Sequence, residues 1–402
     1  MTIGVAVLGS TGSVGCSTLE VLALDRERFR VAVLAARSNA ERLLAQCLRF
    51  APDWAVLESP EAAQELEQRL RGEGSRTRVA AGAAAIAELA ADGAVDYVMA
   101  AISGAAGLSS TLAAAAAGKR LMLANKESAV MAGALLMSAV RAGGAELIPI
   151  DSEHNAIFQC LPAGARPGER AAGVRRLLLT ASGGPFLNWS AAAVAMATPA
   201  QACAHPRWSM GRKISVDSAS LMNKGLELIE ASVLFGMGVE QIDIVVHPQS
   251  IVHSLVEYVD GSVLAQLSAP DMRTPIAQAL AFPQRMPAGV DFLDLVQAGR
   301  LDFLAPDPER FPCLRHAREA ARLGGLHCAS LNAADEIAVQ AFLDKRLNFG
   351  DIPAVIESVM ARVQGGAMTG LAEVMAADGE ARRLASEVVA RRPAAMSLGV
   401  GA

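Results

Sequence analysis

Short apolar runs alternate with helix-period segments along the first third of the chain. Gly4–Leu8, Arg30–Ala35, Trp54–Leu57, Tyr97–Ile102, Arg120–Ala124 and Glu146–Pro149 read as buried strands, with helical segments between most of them. Strands and helices in that alternation predict βαβ units and a parallel, doubly wound sheet. The pattern changes after residue 150. Leu177–Thr180 and Ile242–Val246 read as buried strands. Val252–Val259 and Ser262–Ser268 flank Asp260-Gly261, a good two-residue hairpin turn. A stretch holding Pro283, Pro287, Pro306, Pro308 and Pro312 reads as a linker. Beyond it Cys313–Leu323, Ala329–Arg346, Ile352–Val363 and Leu371–Arg391 carry helical periodicity and predict a small bundle. The expected layout is a Rossmann-like α/β domain over 1–150, a central α/β domain over 151–285, a linker over 286–312 and an α-helical domain over 313–402.

Composition narrows the possibilities. The chain has 402 residues, 52% hydrophobic and 19% charged, which excludes a disordered chain. A net charge of −5 gives no global basis for nucleic-acid binding. The six cysteines are scattered without a CxxC pair, so neither a zinc ribbon nor a disulfide framework is expected. No basic segment with an apolar core opens the chain, so no signal peptide is read. Tyr97–Gly118 is 22 residues without a charge, long enough to span a bilayer. Its glycines and serines parse better as a strand, a turn and an alanine-rich helix. A cytoplasmic protein without membrane partners is the expectation. Lysine is scarce: Lys119, Lys126, Lys213, Lys224 and Lys345 stand among 36 basic residues. The bland cause is a GC-rich genome, which favours arginine codons; the alternative is that a lysine kept in such a chain is one arginine could not replace.

Chemistry enters at Gly9-Ser-Thr-Gly12-Ser-Val-Gly15, between a strand and a helix. Such glycines permit a tight turn and let the backbone approach a pyrophosphate at a helix N-terminus. About 20 residues on, a carboxylate would hold the ribose of NADH. This chain has Arg37, Ser38 and Asn39 instead, which suit a 2′-phosphate, so NADPH is expected. Asn125-Lys126-Glu127 ends another strand, at the sheet edge where ligands bind. Asp151-Ser152-Glu153 offers two carboxylates for a hard cation, or a helix N-cap at Asp151 or Ser152. Ser182-Gly183-Gly184 is an anion nest or a plain turn. The loop His205–Lys213, with Trp208, is a lid over an anionic ligand or a loop packed on the core. Ser218 leads into a helical stretch where Asn223 and Glu227 share one face, as do Ser220 and Lys224. His247 and His253 lie in apolar strand patterns and read as hydrogen-bonded structural histidines.

Together these segments resemble a known family. GSTGSVG, LANKES, IPIDSEHNAIFQ, LTASGGPF, HPRWSMGRKISVDSASLMNKGLELIEA, HPQSIVHSLVEY and SAPDMRTPIAQAL are similar to motifs of the 1-deoxy-D-xylulose 5-phosphate reductoisomerases and cover most of residues 1–282. The resemblance implies conversion of that phosphosugar to 2-C-methyl-D-erythritol 4-phosphate, using NADPH and a divalent cation: Mg²⁺, Mn²⁺ or, as a third candidate, Co²⁺. It implies Asp151, Glu153 and Glu227 as metal ligands. It places Gly9, Thr11, Gly12, Ser13 and Val14 at the pyrophosphate, with Asn125, Glu127 and Gly211 also on NADPH. Lys126 and Ser152 would meet the reacting end of the substrate. Ser182, His205, Ser218, Asn223 and Lys224 would bind the substrate, largely its phosphate, with Trp208 closing over it. Residues 151–285 would form the catalytic and dimerisation domain of a homodimer. Many members carry glycine where Arg37 stands, so the 2′-phosphate contact differs in detail. A metal-independent NADPH-dependent semialdehyde reductase would explain the glycine motif but leave Asp151, Glu153 and Glu227 without work. A nucleotide-sensing protein would bind NADPH without oxidising it.

Overall fold

A computed structural model describes residues 2–206 and 211–392. Strand β1 (Ile3–Leu8) runs through the centre of a seven-stranded sheet, and Val5, Ala6 and Val7 are fully buried there. It pairs in parallel with β2 (Phe29–Ala36) on one side and β5 (Tyr97–Ala100) on the other. The chain winds outward through β3 (Trp54–Leu57) and β4 (Arg78–Ala81), then returns to lay down β5, β6 (Arg120–Leu123) and β7 (Glu146–Pro149). The order is β4-β3-β2-β1-β5-β6-β7, parallel throughout. The winding therefore reverses between β1 and β5, the place where such sheets open a crevice at their strand C-termini. Strand β4 was not expected; it is a partly exposed edge strand of four residues, two of them alanine.

The chain forms two compact units. The first holds the chain up to Ala129, Gly133–Leu161 and Gln266–Asp294. Its last piece carries the helix Arg273–Ala281, and Ile276, Ala277, Ala279 and Leu280 join the same apolar core as Val5, Val7, Met99, Met122 and Ile148. Fully burying Ile276 and Leu280 is worth about 2–3 kcal/mol each. Polar contacts set the docking: Gln278 Oε1 accepts from Asn155 Nδ2 at 2.9 Å, and Arg120 Nη1 donates to Leu280 O at 3.3 Å.

The second unit holds Val130–Ala132, Pro162–Ala265 and the chain from Leu295 on. Its sheet has the order β11-β10-β8-β9, with β8 (Val174–Ala181), β9 (Ile242–Val246), β10 (Val252–Tyr258) and β11 (Val263–Leu267). Strand β8 pairs in parallel with β9 and antiparallel with β10. The hairpin turn is as expected: Gly261 has φ +88°, and Ser262 N donates to Asp260 Oδ1 at 2.9 Å. The helices Cys313–Leu323, His327–Leu343, Ile352–Met360 and Leu371–Ala390 form the C-terminal bundle. A Cβ on Gly225 would stand 2.4 Å from Ala317 Cβ, so the helix Met222–Phe235 lies hard against Cys313–Leu323.

The architecture is the expected α/β class, with the Rossmann-like sheet, the second α/β layer and the helical bundle. The compact units do not follow the expected boundaries at 150, 285 and 312. Residues 266–294 return to the first unit, and the bundle shares the second with the smaller sheet. Nor is the expected linker free chain: Val246 N donates to Leu304 O at 2.9 Å and Leu304 N to Val246 O at 2.8 Å, extending the edge of β9. Tyr97–Gly118 is a strand, a short turn of 3-10 helix and a helix, and no described helix is long and apolar enough to cross a membrane.

Candidate active site

The first unit carries the dinucleotide motif. Gly9 leaves β1 at φ +86°, and a Cβ there would stand 2.4 Å from Ala101 O. At Gly15 it would stand 2.3 Å from Gly9 O and 2.5 Å from Ser10 Cα. Only glycine allows this turn. Gly12 caps the helix Ser13–Leu22, and no side chain caps its first turn. Those amides sit beside Thr11, exposed Ser13 and Val14, an anion-binding arrangement. Two side chains that sequence reading missed hold the loop. Gln46 accepts from Ser10 Oγ and donates to Ser10 O, both at 2.8 Å, and Arg42 Nη1 donates to Thr11 O at 3.0 Å. The signal lay in Asn39, whose side chain caps the helix Ala40–Phe50 and so puts positions 42 and 46 on one face.

Arg37, Ser38 and Asn39 follow β2 as an exposed group. Asn39 Oδ1 is engaged by Arg42 N at 3.0 Å, and Arg37 Nε pairs with Glu58 Oε2 at 3.0 Å. Asn125, after β6, is buried and caps the helix Lys126–Gly143. Its Nδ2 donates to Ile102 O and, at 3.1 Å, to Gly104 O, tying together the loops that follow β5 and β6. Both amide hydrogens of that side chain are thereby spent. Glu127 is half-buried in the first turn of the same helix.

Asp151 follows β7 and occupies the N-cap position of the helix Ser152–Cys160, yet its carboxylate caps nothing. It turns to Lys126 instead, 2.7 Å from Nζ, and lies 4.0 Å from Nδ1 of the fully buried His154. The N-cap alternative holds for the position of Asp151 but not for its side chain, which makes no capping hydrogen bond. Ser152 Oγ donates to Glu153 Oε2 at 2.5 Å, so this stretch holds two carboxylates, a hydroxyl and an ammonium at the sheet's C-terminal edge.

The second unit carries the remaining candidates. Ser182 follows β8, and its Oγ meets His205 Nε2 at 2.9 Å and accepts from Gly184 N at 3.1 Å. A Cβ on Gly184 would stand 2.9 Å from Ser218 O, so this turn approaches the end of the helix Arg212–Ser220. Gly211 is exposed at the N-cap of that helix. The helix was expected to run on through Lys224. It breaks at Leu221, which adopts the left-handed conformation at φ +59°, and Met222–Phe235 is a new helix. Ser220 and Lys224 therefore do not share a helix face; Ser220 Oγ receives Met222 N at 3.3 Å instead. The Asn223/Glu227 pairing holds, with Asn223 Nδ2 on Glu227 Oε1 at 2.5 Å. Lys224 Nζ takes the other oxygen, and Lys224 and Glu227 are 4% and 1% exposed. A lysine and a carboxylate this deep are kept by mutual pairing. His247 is structural as expected, its Nδ1 on Asp302 O at 2.8 Å. Trp208 lies outside the described residues.

Comparison with known proteins gives one family. The model for 1-deoxy-D-xylulose 5-phosphate reductoisomerase matches residues 5–133, and models of two of its C-terminal domains match 147–235 and 267–384. A 1-deoxy-D-xylulose 5-phosphate reductoisomerase of Burkholderia multivorans is 55% identical over 96% of this chain and 97% of its own. That of Pseudomonas syringae is 56% identical over 95% and 97%. A crystal structure of DOX-P reductoisomerase with NADPH, fosmidomycin and magnesium superposes with a TM-score of 0.91 at 47% identity, covering 96% of this chain and 98% of the other. The Zymomonas mobilis enzyme in complex with NADPH gives 0.90, also at 47% identity and the same coverage. The chain belongs to the 1-deoxy-D-xylulose 5-phosphate reductoisomerase family.

Proposed function

We propose that the chain converts 1-deoxy-D-xylulose 5-phosphate to 2-C-methyl-D-erythritol 4-phosphate, by skeletal rearrangement to an aldehyde followed by reduction, with NADPH and a divalent cation. The observation that carries the metal reading is Asp151, which holds an N-cap position but gives its carboxylate to Lys126. Asp151 and Glu153, joined by Glu227 on the family resemblance, would be an oxygen-only donor set of the kind that suits Mg²⁺ or Mn²⁺. A bound cation supplies Lewis acidity to the substrate's oxygens, and NADPH supplies a hydride.

The residues divide the remaining work. Thr11–Val14 present helix N-terminal amides to the pyrophosphate, with Glu127 and Gly211 along the cofactor. Arg37 and Ser38 meet the 2′-phosphate once Arg37 leaves Glu58, an exposed pair that costs little to open. Lys126 and Ser152 hold the reacting end of the substrate. Ser182, His205, Ser218, Asn223 and Lys224 bind its phosphate side through hydroxyl, imidazole, amide and ammonium donors. The assignment of residues 151–285 to catalysis and dimerisation rests on the same reading. Strand β11 supports a homodimer, because this edge strand exposes Val263 and Leu264. A cytoplasmic location fits an NADPH-consuming reaction.

The test is NADPH oxidation on addition of 1-deoxy-D-xylulose 5-phosphate, before and after EDTA and after Mg²⁺ is restored. Activity lost to EDTA and regained with Mg²⁺ is expected; unchanged turnover without metal overturns the reading. Glu227→Gln is expected to lower kcat by about a thousandfold or more while NADPH affinity holds.

A further inference from the structure

The helix Arg212–Ser220 leads directly to Ser218, Asn223 and Lys224, and something must fix where it starts. Gly211 caps it, and a glycine has no side chain with which to make a capping hydrogen bond. In the helix's first turn, Lys213 bends inward. Its Nζ lies 2.6 Å from Asp217 Oδ2 on its own helix and 3.0 Å from Asp335 Oδ2 on the bundle helix His327–Leu343. Asp217 is 1% exposed and Asp335 fully buried. An unpaired carboxylate at such depth is strongly disfavoured, so these two are placed for a reason other than solubility.

Two carboxylates and one ammonium leave one negative charge too many. The geometry shows how it is removed. The Oδ1 atoms of both aspartates and Oδ2 of Asp335 are enclosed without a hydrogen-bond donor, Lys213 meeting Asp335 as an ion pair. A single proton on Asp217, donated to Asp335, satisfies the pair and makes the trio neutral. Burial and the facing Asp335 carboxylate both push the Asp217 carboxyl well above its usual range, and burial raises Asp335 as well.

We infer that Asp335 is a positioning residue: with Asp217 it grips Lys213, and so anchors to a helix of the C-terminal bundle the start of the helix that carries Ser218 and leads into the one bearing Asn223 and Lys224. The inference rests on the proposed substrate role of Ser218, Asn223 and Lys224. It gives the bundle a task in substrate binding through a side chain that touches no ligand. Asparagine at 335 would preserve the arrangement. With asparagine there the trio is neutral when Asp217 is ionised, so no shared proton is needed, and the amide offers an acceptor to Lys213 and a donor to Asp217.

The experiment compares wild type, Asp335→Asn, Asp335→Ala and Lys213→Met. Wild-type turnover tests the proposed reaction by itself. For Asp335→Ala and Lys213→Met, substrate KM is expected to rise about tenfold as the buried ion pair that anchors the helix is lost, with kcat and NADPH Kd near wild type. Hydrogen exchange of amides 213–217 should quicken in both variants while the first unit keeps its protection, and this reading needs no activity at all. Asp335→Asn should restore wild-type KM and exchange. A fall in kcat with KM unchanged, equal losses in NADPH affinity, or unaltered exchange would each overturn the proposal. Should Asp335→Ala fail to fold, Lys213→Met and Asp335→Asn decide it: wild-type KM in the first, or a tenfold rise in the second, refutes the inference.

Discussion

Lys126, Lys213 and Lys224 each end on a carboxylate, and Lys119 donates to the carbonyls of Asp92 at 2.7 Å and Val95 at 2.6 Å. An ammonium is a compact point charge with three donors, and a guanidinium fork is too wide for two acceptors converging on one atom. The scarcity of lysine was legible in the sequence. Its targets were not, because Asp335 lies far along the chain and no spacing rule links it to Lys213. The shared proton at Asp217 has a consequence for stability. Among the described residues, Lys213, Asp335, Glu336 and the buried thiol of Cys313 are titratable groups around it, and Glu336 is itself held by Arg382. The folded carboxyl keeps its proton to a higher pH than the unfolded one. Stability therefore falls as pH rises from about 4, the unfolded value, to the raised folded value, and levels off above it. Asp217→Asn removes a titrating group, so its melting temperature should fall less between pH 5 and 8 than that of wild type. Each unit of raised pKa is worth about 1.4 kcal/mol of that difference. Parallel thermal melts across pH check this, and equal slopes would refute the shared proton.

Among the elements, the glycine turn after β1 is the least tolerant. A methyl at Gly15 would meet backbone atoms of Gly9 and Ser10, which a flexible side chain could have yielded but a strand end cannot. Gly15→Ala should lower NADPH affinity by at least about tenfold, since displaced amides lose the alignment that an anion requires, while secondary structure persists. Fluorescence titration with NADPH measures it. The spacing alone is a weak signal, since such a turn is often only a turn; it was readable because it follows the first strand and opens a helix. The break at Leu221 was not. Leucine carries no signal for a left-handed residue, and its 3% exposure shows that packing holds it there against local preference. Strand β4 escaped for the opposite reason: Arg78-Val-Ala-Ala is too short and too alanine-rich to show a period. Asp151 shows a third limit. Its position is that of a cap, and only the nearby Lys126 reveals that the carboxylate is needed elsewhere.

At the scale of the molecule, the sequence showed which segments are apolar but not which partner each one covers. The helix Arg273–Ala281 reads as an ordinary extension of the central region, yet it completes the core of the first sheet. A fragment ending at Leu161 would therefore leave apolar surface open where Ile276 and Leu280 belong. It should elute from size exclusion as aggregate, whereas addition of a segment 266–294 in the same chain should recover monodisperse protein. The returning helix also sets a timetable for synthesis. On the ribosome the seven strands of the first sheet emerge early, but their covering helix follows more than a hundred residues later, roughly ten seconds at ordinary elongation rates. During that interval the nascent sheet is finished in hydrogen bonding and unfinished in burial, which makes this the stage of the protein's life when a chaperone has most to hold.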